Sequence, residues 1–243
     1  MTASLNRVLI PVDVSEPLSL GGTLIEAVPL KKAVLLGYWL IPDQSAPDQA
    51  RDQFEEEAQH RLQTIADRFT DQGVEVQTEL AFTKDRNQVI DTATNKYECQ
   101  SVLIPGTESP PSRTTRGIVL VKPNADLDRI VTTLGTLFAE SDVELSLFHV
   151  VENTNEHLHD ATEYMLRGLV DRLSELGISR DRVEWEQSVT DERTDVILSR
   201  ISDFDFVVMS ETKPALRERI FGTVQSKLAN KMEKPLLTIR TSK

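Results

Sequence analysis

The sequence predicts an α/β protein built from two doubly wound units with parallel sheets, the first of them truncated. Three observations carry that prediction: short continuous apolar runs, stretches of helical period between them, and the return of four of the runs in the same order later in the chain. Arg7-Val-Leu-Ile-Pro-Val-Asp13 finds a counterpart in Ile118-Val-Leu-Val-Lys-Pro-Asn124, which sets Asn124 against Asp13. Ala33–Pro42 is matched by Val143–Glu152, Val74–Gln77 by Val183–Glu186, and Val102–Thr107 by Phe206–Glu211. Four recurrences at nearly constant spacing are the mark of a duplication.

Within each copy the segments alternate in type. Val8–Val12, Val34–Ile41 and Val102–Ile104 are continuous apolar runs, as expected of strands buried on both faces of a parallel sheet. Phe54, Ala58, Leu62, Ile65, Ala66 and Phe69 share one face of a helix, and Ile130, Leu134, Leu137 and Phe138 share another. Leu158, Ala161, Met165, Leu169, Leu173 and Leu176 predict a third face, closed by Gly177 as C-cap. Strands alternating with helices imply right-handed crossovers.

The copies are unequal. Glu16–Pro29 stands where the first copy should have a helix, and its Gly pair and two prolines leave room for a short one at most. After Ile104 the first copy runs into a stretch rich in Pro, Ser and Thr, so its last helix and strand are missing. The second copy keeps both, as Phe221–Met232 and Pro235–Arg240. The expected division is a truncated unit over 1–106, a linker over 107–115 and a full unit over 116–243, the two units related by a pseudo-twofold axis.

Composition narrows the function. Lys plus Arg is 27 against 39 for Asp plus Glu, a net charge of -12, which repels phosphate backbones and argues against nucleic-acid binding. Acid enrichment with few lysines fits either a salt-loaded, halophilic cytoplasm or an ordinary acidic bacterial protein. The polar start MTASLN is no signal peptide, and no apolar run is long enough to cross a bilayer, so a cytoplasmic chain not embedded in a membrane is expected. One cysteine, Cys99, excludes disulfide frameworks and four-thiolate metal sites.

Val8-Leu-Ile-Pro-Val-Asp-Val-Ser-Glu16, Leu147–Glu152, and Ile220-Phe-Gly-Thr-Val-Gln225 leading to Lys234–Arg240 resemble segments of the universal stress protein family in its tandem two-domain form. The matches are short, but their order and the repeat cover nearly the whole chain. The resemblance implies Rossmann-like, adenine nucleotide alpha hydrolase-like domains, each with a five-stranded parallel sheet. In many members it also implies ATP at the switch point between the first and fourth strands, where loops diverge to opposite faces. Nucleotide-binding members use an Asp at the end of the first strand against adenine, and a loop G-x2-G-x9-G-[S/T] after the fourth. Its glycines let backbone amides approach phosphate and open a helix whose N-terminus favours anions.

Against that pattern, the first copy has Asp13 and Gly106, with Ser109 at the second glycine and no closing helix. The second copy has Asn124 for the Asp, Ser210 and Lys213 for the first two glycines, and Gly222-Thr223 as the closing pair, one residue short in spacing. Neither set is complete. The resemblance therefore implies a stress-response or regulatory protein with degenerate nucleotide sites that acts mainly through protein partners. The alternative is an ATP- or AMP-binding module with one hybrid site and at most slow hydrolysis. No cofactor is required on the first reading, and ATP or AMP is bound weakly at most. Related domains occur fused to transporters, which adds a soluble transporter regulator as a third idea.

Each candidate residue has a plainer reading beside the functional one. Asp13 is either a ligand contact or a polar cap on a buried strand; Gly222-Thr223 is either a phosphate cradle or a helix cap with Thr as capping residue. Lys213, Arg217 and Arg219 supply charge to a loop or form a solvated surface. His157 and His159 point to different helix faces, which leaves no metal site. His149 reads as a satisfied core histidine, Cys99 as an unactivated thiol, and Trp39 and Trp185 as packing. No G-x-S-x-G, P-loop or H-E-x-x-H is present, so no enzymatic activity is expected. A homodimer is expected, because the strand at Pro235–Arg240 would lack a mate within the chain and invite an identical strand from a second copy; the alternative has it reach back to the fourth strand of its own first unit.

Overall fold

The structure is a computed structural model that describes residues 7–16, 30–42, 44, 46–106, 115–151, 156–210 and 234–240. In chain order the elements are β1 (Arg7–Asp13), β2 (Lys32–Leu40), α1 (Pro47–Asp71), β3 (Glu75–Thr83), α2 (Arg86–Lys96) and β4 (Ser101–Ile104) in the first half. The second half has β5 (Arg116–Leu120), α3 (Leu127–Phe138), β6 (Glu144–Val151), α4 (Glu156–Glu175), β7 (Val183–Val189), α5 (Arg193–Ile201), β8 (Phe206–Ser210) and β9 (Leu236–Ile239). The expected short helix in 16–29, linker residues 107–114 and the helix expected at 221–232 lie outside the described residues.

The α/β architecture and the repeated order stand as the sequence predicts. Each half pairs its strands in parallel, β3-β2-β1-β4 and β8-β5-β6-β7. The two sheets are not separate, however. They form one nine-stranded sheet, β3-β2-β1-β4-β9-β8-β5-β6-β7, closed in the middle by β9. That strand runs parallel to β8, with Leu237 opposite Val208, and antiparallel to β4, with Leu237 opposite Leu103. It takes the place of the strand missing from the first half. This corrects the expectation about the unpaired edge: the strand assigned to a second chain has both of its edges filled by its own.

The core follows from this joint. On one face of the sheet a single cluster runs across both halves, from Ile10, Leu62 and Phe69 through Leu237 and Ile239 to Leu134, Leu166 and Leu173, all nearly inaccessible to water. On the other face each half has its own small cluster, Leu9, Val34 and Ala93 under α2, and Phe148, Ile197 and Phe204 under α5. The α1 and α3 faces are those read from the sequence, Phe54 being only partly buried. The α4 face is rotated: Ala161 is exposed, and Thr162, Leu166, Leu169, Val170 and Leu173 are buried. Those residues follow the i, i+4, i+7, i+8 pattern equally well, and the buried strand decides between the two stripes. Gly177 does end the segment, at φ +96°, with the Ile178 N–H donating to the Leu173 carbonyl at 3.1 Å.

Candidate functional site

Open parallel sheets gather their functional groups where the strands end and the following loops diverge. In both halves the third strand ends at the same turn. Thr83 Oγ1 accepts from the Asp85 N–H and Thr190 Oγ1 from the Glu192 N–H, at 3.0 Å in each case. The next residues, Arg86 and Arg193, are the first of α2 and α5. The underlying repeat, Thr-x-Asp/Glu-Arg-x-x-Val-Ile at Thr83–Ile90 and Thr190–Ile197, is the signal that a comparison of apolar runs misses.

With these threonines as a common origin, the strand registers show which residues are level across the two halves. Thr83 lies opposite Leu40, and Asp13 opposite Tyr38; Val151 lies opposite Val189, and Leu120 opposite Phe148. The position of Asp13 is then taken by Lys122, and Asn124 falls level with Ser15. This corrects the pairing of Asp13 with Asn124. A shift of two residues keeps every side chain on its own face, so the hydrophobic pattern cannot detect it. By the same registers Ser210 is level with Pro105 rather than with Gly106, and His149 with Gly37.

The first-half end carries balanced charge. Asp13 Oδ1 accepts from the Ser15 N–H at 2.9 Å and from Ser15 Oγ at 2.5 Å, so this carboxylate closes a turn on its own strand. The Arg86 guanidinium lies 5.5 Å from the centre of the Tyr38 ring, with its Nε buried and without a hydrogen-bond partner among the described residues. Burial raises the Tyr38 ionisation above its ordinary value, Arg86 pulls it down and Asp13 pushes it up. Asp85 Oδ1 caps α2, accepting from the Asn87 and Gln88 N–H groups at 2.9 and 3.1 Å.

The second-half end is furnished differently. Lys122 and Arg193 are both partly buried, and neither pairs with a carboxylate among the described residues. Burial, and then the charge of Arg193, hold the Lys122 ammonium below the ordinary lysine range. His149 is 7% exposed, and its Nδ1 lies 2.7 Å from the Val121 carbonyl, so that nitrogen carries the proton and donates. Burial is the main reason its ionisation is lowered; the Val121 bond opposes this and Arg193 adds to it. The side chain of Glu192 makes no cap to α5.

No family model matches the sequence, and no curated protein matches it. Solved structures do. A universal stress protein from Archaeoglobus fulgidus DSM 4304 matches with TM-score 0.61 and 14% identity, over 98% of this chain and 97% of that one. The chain has the fold of a universal stress protein. A protein of unknown function from Pseudomonas aeruginosa PAO1 matches with TM-score 0.53 and 14% identity, over 98% and 93%.

On the universal stress protein fold, the residues that the resemblance singles out are only partly brought together. Gly106 lies two residues past the end of β4, where the β1–β4 register, extended, sets it level with Asp13, and it is buried. Asn124 is exposed beyond β5, while Ser210 ends β8 with a buried hydroxyl that has no hydrogen-bond partner among the described residues. Ser109, Lys213, Arg217, Arg219, Gly222 and Thr223 lie outside the described residues, as does the side chain of His157. Cys99 is buried, its thiol pushed up to about 11 chiefly by burial, so it stays protonated at neutral pH. Trp39 stacks on Phe54 with ring centres 4.6 Å apart, and Trp185 packs beside the main core. Among the described residues no group of His, Cys, Asp and Glu could hold a metal, and no helix is long and apolar enough to cross a membrane.

Proposed function

We propose that this chain is a universal stress protein-like stress-response or regulatory protein of the cytoplasm, that it has no enzymatic activity, and that it acts mainly through protein partners. Its nucleotide sites are degenerate. One observation supports the reading above others: the two halves do not present the same group at the end of the first strand. In the first half Asp13 Oδ1 is held in a turn by Ser15, and in the second the place is taken by the cation of Lys122. An adenine amino group seeking an acceptor meets a carboxylate with one oxygen already engaged in the first half and a donor in the second.

Calorimetric titration of ATP and of adenosine into the full chain tests this. The expected result is an adenosine Kd weaker than about 1 mM, equivalent to about -4 kcal/mol of binding at most, with ATP binding unaltered by Asp13→Ala. A micromolar ATP Kd that Asp13→Ala abolishes would overturn the reading.

A further inference from the structure

The second half carries a cavity at the amino end of its strands, the end opposite to Lys122. Its volume is about 100 Å³, several times the room of about 10–15 Å³ that one water needs. Side chains alternate along a strand, so Arg116 shares the α5 face of the sheet with Ile118, and Glu144 and Ser146 share it with Phe148. Glu184 lies on the same face as the register partner of Ser146. Phe204 also lines the cavity, with the Arg116 guanidinium 5.0 Å from its ring centre.

Ser146 is the odd member of this wall. It is 2% exposed, and its hydroxyl has no hydrogen-bond partner among the described residues. On one side Ile118 offers it nothing polar, and on the other the Glu184 carboxylate is drawn to Arg116. By the strand registers Arg116, Glu144, Ser146 and Glu184 are level with Arg7, Lys32, Val34 and Gln77. The first half thus buries a valine where the second buries a hydroxyl, and has no carboxylate where the second has two. A buried hydroxyl beside a cavity is satisfied by what enters the cavity.

The lining selects the sign of the guest. Arg116 Nε lies 3.5 Å from Glu144 Oε2, and Arg116 Nη2 donates to Glu184 Oε1 at 3.3 Å, so two carboxylates share one cation. Arg182 turns its guanidinium to the Ser141 and Val143 carbonyls, and Asp181 accepts from the Ser179 hydroxyl. Three carboxylates against two arginines leave one negative charge over. The second oxygens of Glu144 and Glu184 are not engaged among the described residues. We propose that this cavity binds a small primary ammonium compound, which donates to Ser146 Oγ and to those two oxygens. An ammonium group has three N–H donors and no acceptor, which matches the set. Among the described residues no three metal-ligating side chains converge closely enough for a metal ion, whereas N–H donors bridge the longer distances. The net charge of -12 on the chain draws cations toward it.

This inference does not depend on the loss of nucleotide binding, because its probe has no base. Ethylammonium chloride is titrated into the full chain at neutral pH and constant ionic strength, following the backbone amide resonances of Ser146 and Glu184. The expected result is a set of saturable shifts that neither sodium chloride nor tetramethylammonium chloride reproduces, the latter being charged alike but without N–H donors. Ser146→Val, which installs the first-half residue, abolishes the binding, and Glu184→Gln weakens it about tenfold. Should the valine variant fail to fold, Ser146→Ala keeps the cavity and removes only the hydroxyl, with the same loss of binding. Its melting temperature should be no lower than that of the parent, since the hydroxyl has no partner to lose. A cavity that holds water only, seen as the absence of saturable shifts, overturns the proposal. So does an equal response to tetramethylammonium, or binding that survives Ser146→Ala.

Discussion

The two halves of the sheet share a framework down to one turn, Thr83–Arg86 and Thr190–Arg193, and fill it with different chemistry. At the amino end of the strands, Val8 faces Ser101 in the first half, while Gly117 faces Phe206 in the second. Large and small residues have changed places across the same pair of strands, so the volume is kept and its source is not. At the carboxyl end the exchange is of charge and polarity: Asp13 for Lys122 and Gly37 for His149. A repeat of this kind tolerates exchange wherever two strands can compensate each other. It keeps what one residue must do alone, such as the threonine that closes the turn.

The comparison breaks most completely at the strand that both halves use. Leu237 is fully buried between β4 and β8, and Leu237→Ala is expected to cost about 2–5 kcal/mol through lost burial and the cavity left behind. Amide exchange in the variant should accelerate in β4 and β8 together. If only β8 loosens, the halves are energetically separate and the joint is nominal. Next in size is Gly117→Ala. A Cβ there would lie 2.2 Å from the Phe206 ring, which must move, at a cost of about 1–3 kcal/mol. Urea unfolding of Gly117→Ala, Phe206→Leu and the double variant should show the second change relieving the first. Additive costs would mean that the two positions do not share their space.

A smaller contrast lies at the helix starts. Asp85→Ala removes a bonded cap and should lower stability by about 1 kcal/mol. Glu192→Ala removes no such bond and should stay within about 0.5 kcal/mol of the parent. Equal effects in chemical denaturation would show that Glu192 caps α5 in solution. The smallest effect is one of pH. His149 titrates lower in the folded chain than its unfolded value of about 6.5, so the unfolded state takes up more protons as pH falls. Stability contributed by neutral His149 is therefore full above that value and is lost as pH drops below it. His149→Gln should flatten the melting temperature between pH 7 and 5, and an unchanged slope would assign the acid sensitivity elsewhere.

Much of this architecture is readable in the residues themselves. Val8–Val12 and Val34–Ile41 are apolar on consecutive positions because both their faces are covered, and such runs are unambiguous in an α/β chain. What an apolar run does not carry is the identity of its neighbour. Leu236–Ile239 reads as a buried strand whether its second partner is β4 or another molecule, and only the tertiary arrangement chooses. The candidate site was partly hidden for a related reason. Lys122 and Asn124 are two positions apart, and a slip of two residues leaves the apolar pattern of β5 on the same face, so apolar alignment weighs them equally. Polar repeats at strand ends, here Thr, acid and Arg in fixed order, are sharper rulers, because a turn tolerates no slippage.

The placement of β9 also sets a timetable. Ile104 leaves the ribosome long before Leu236, its partner, and at about 5–20 residues per second the interval is about 7–26 s. Throughout it, the outer edge of β4 carries backbone donors and acceptors with no strand yet made to receive them. The nascent first half is thus an incomplete template that waits until Leu236–Ile239 is made. A chain interrupted before Leu236 would keep that edge open, which makes truncated products the species of this protein most prone to join sheets with one another.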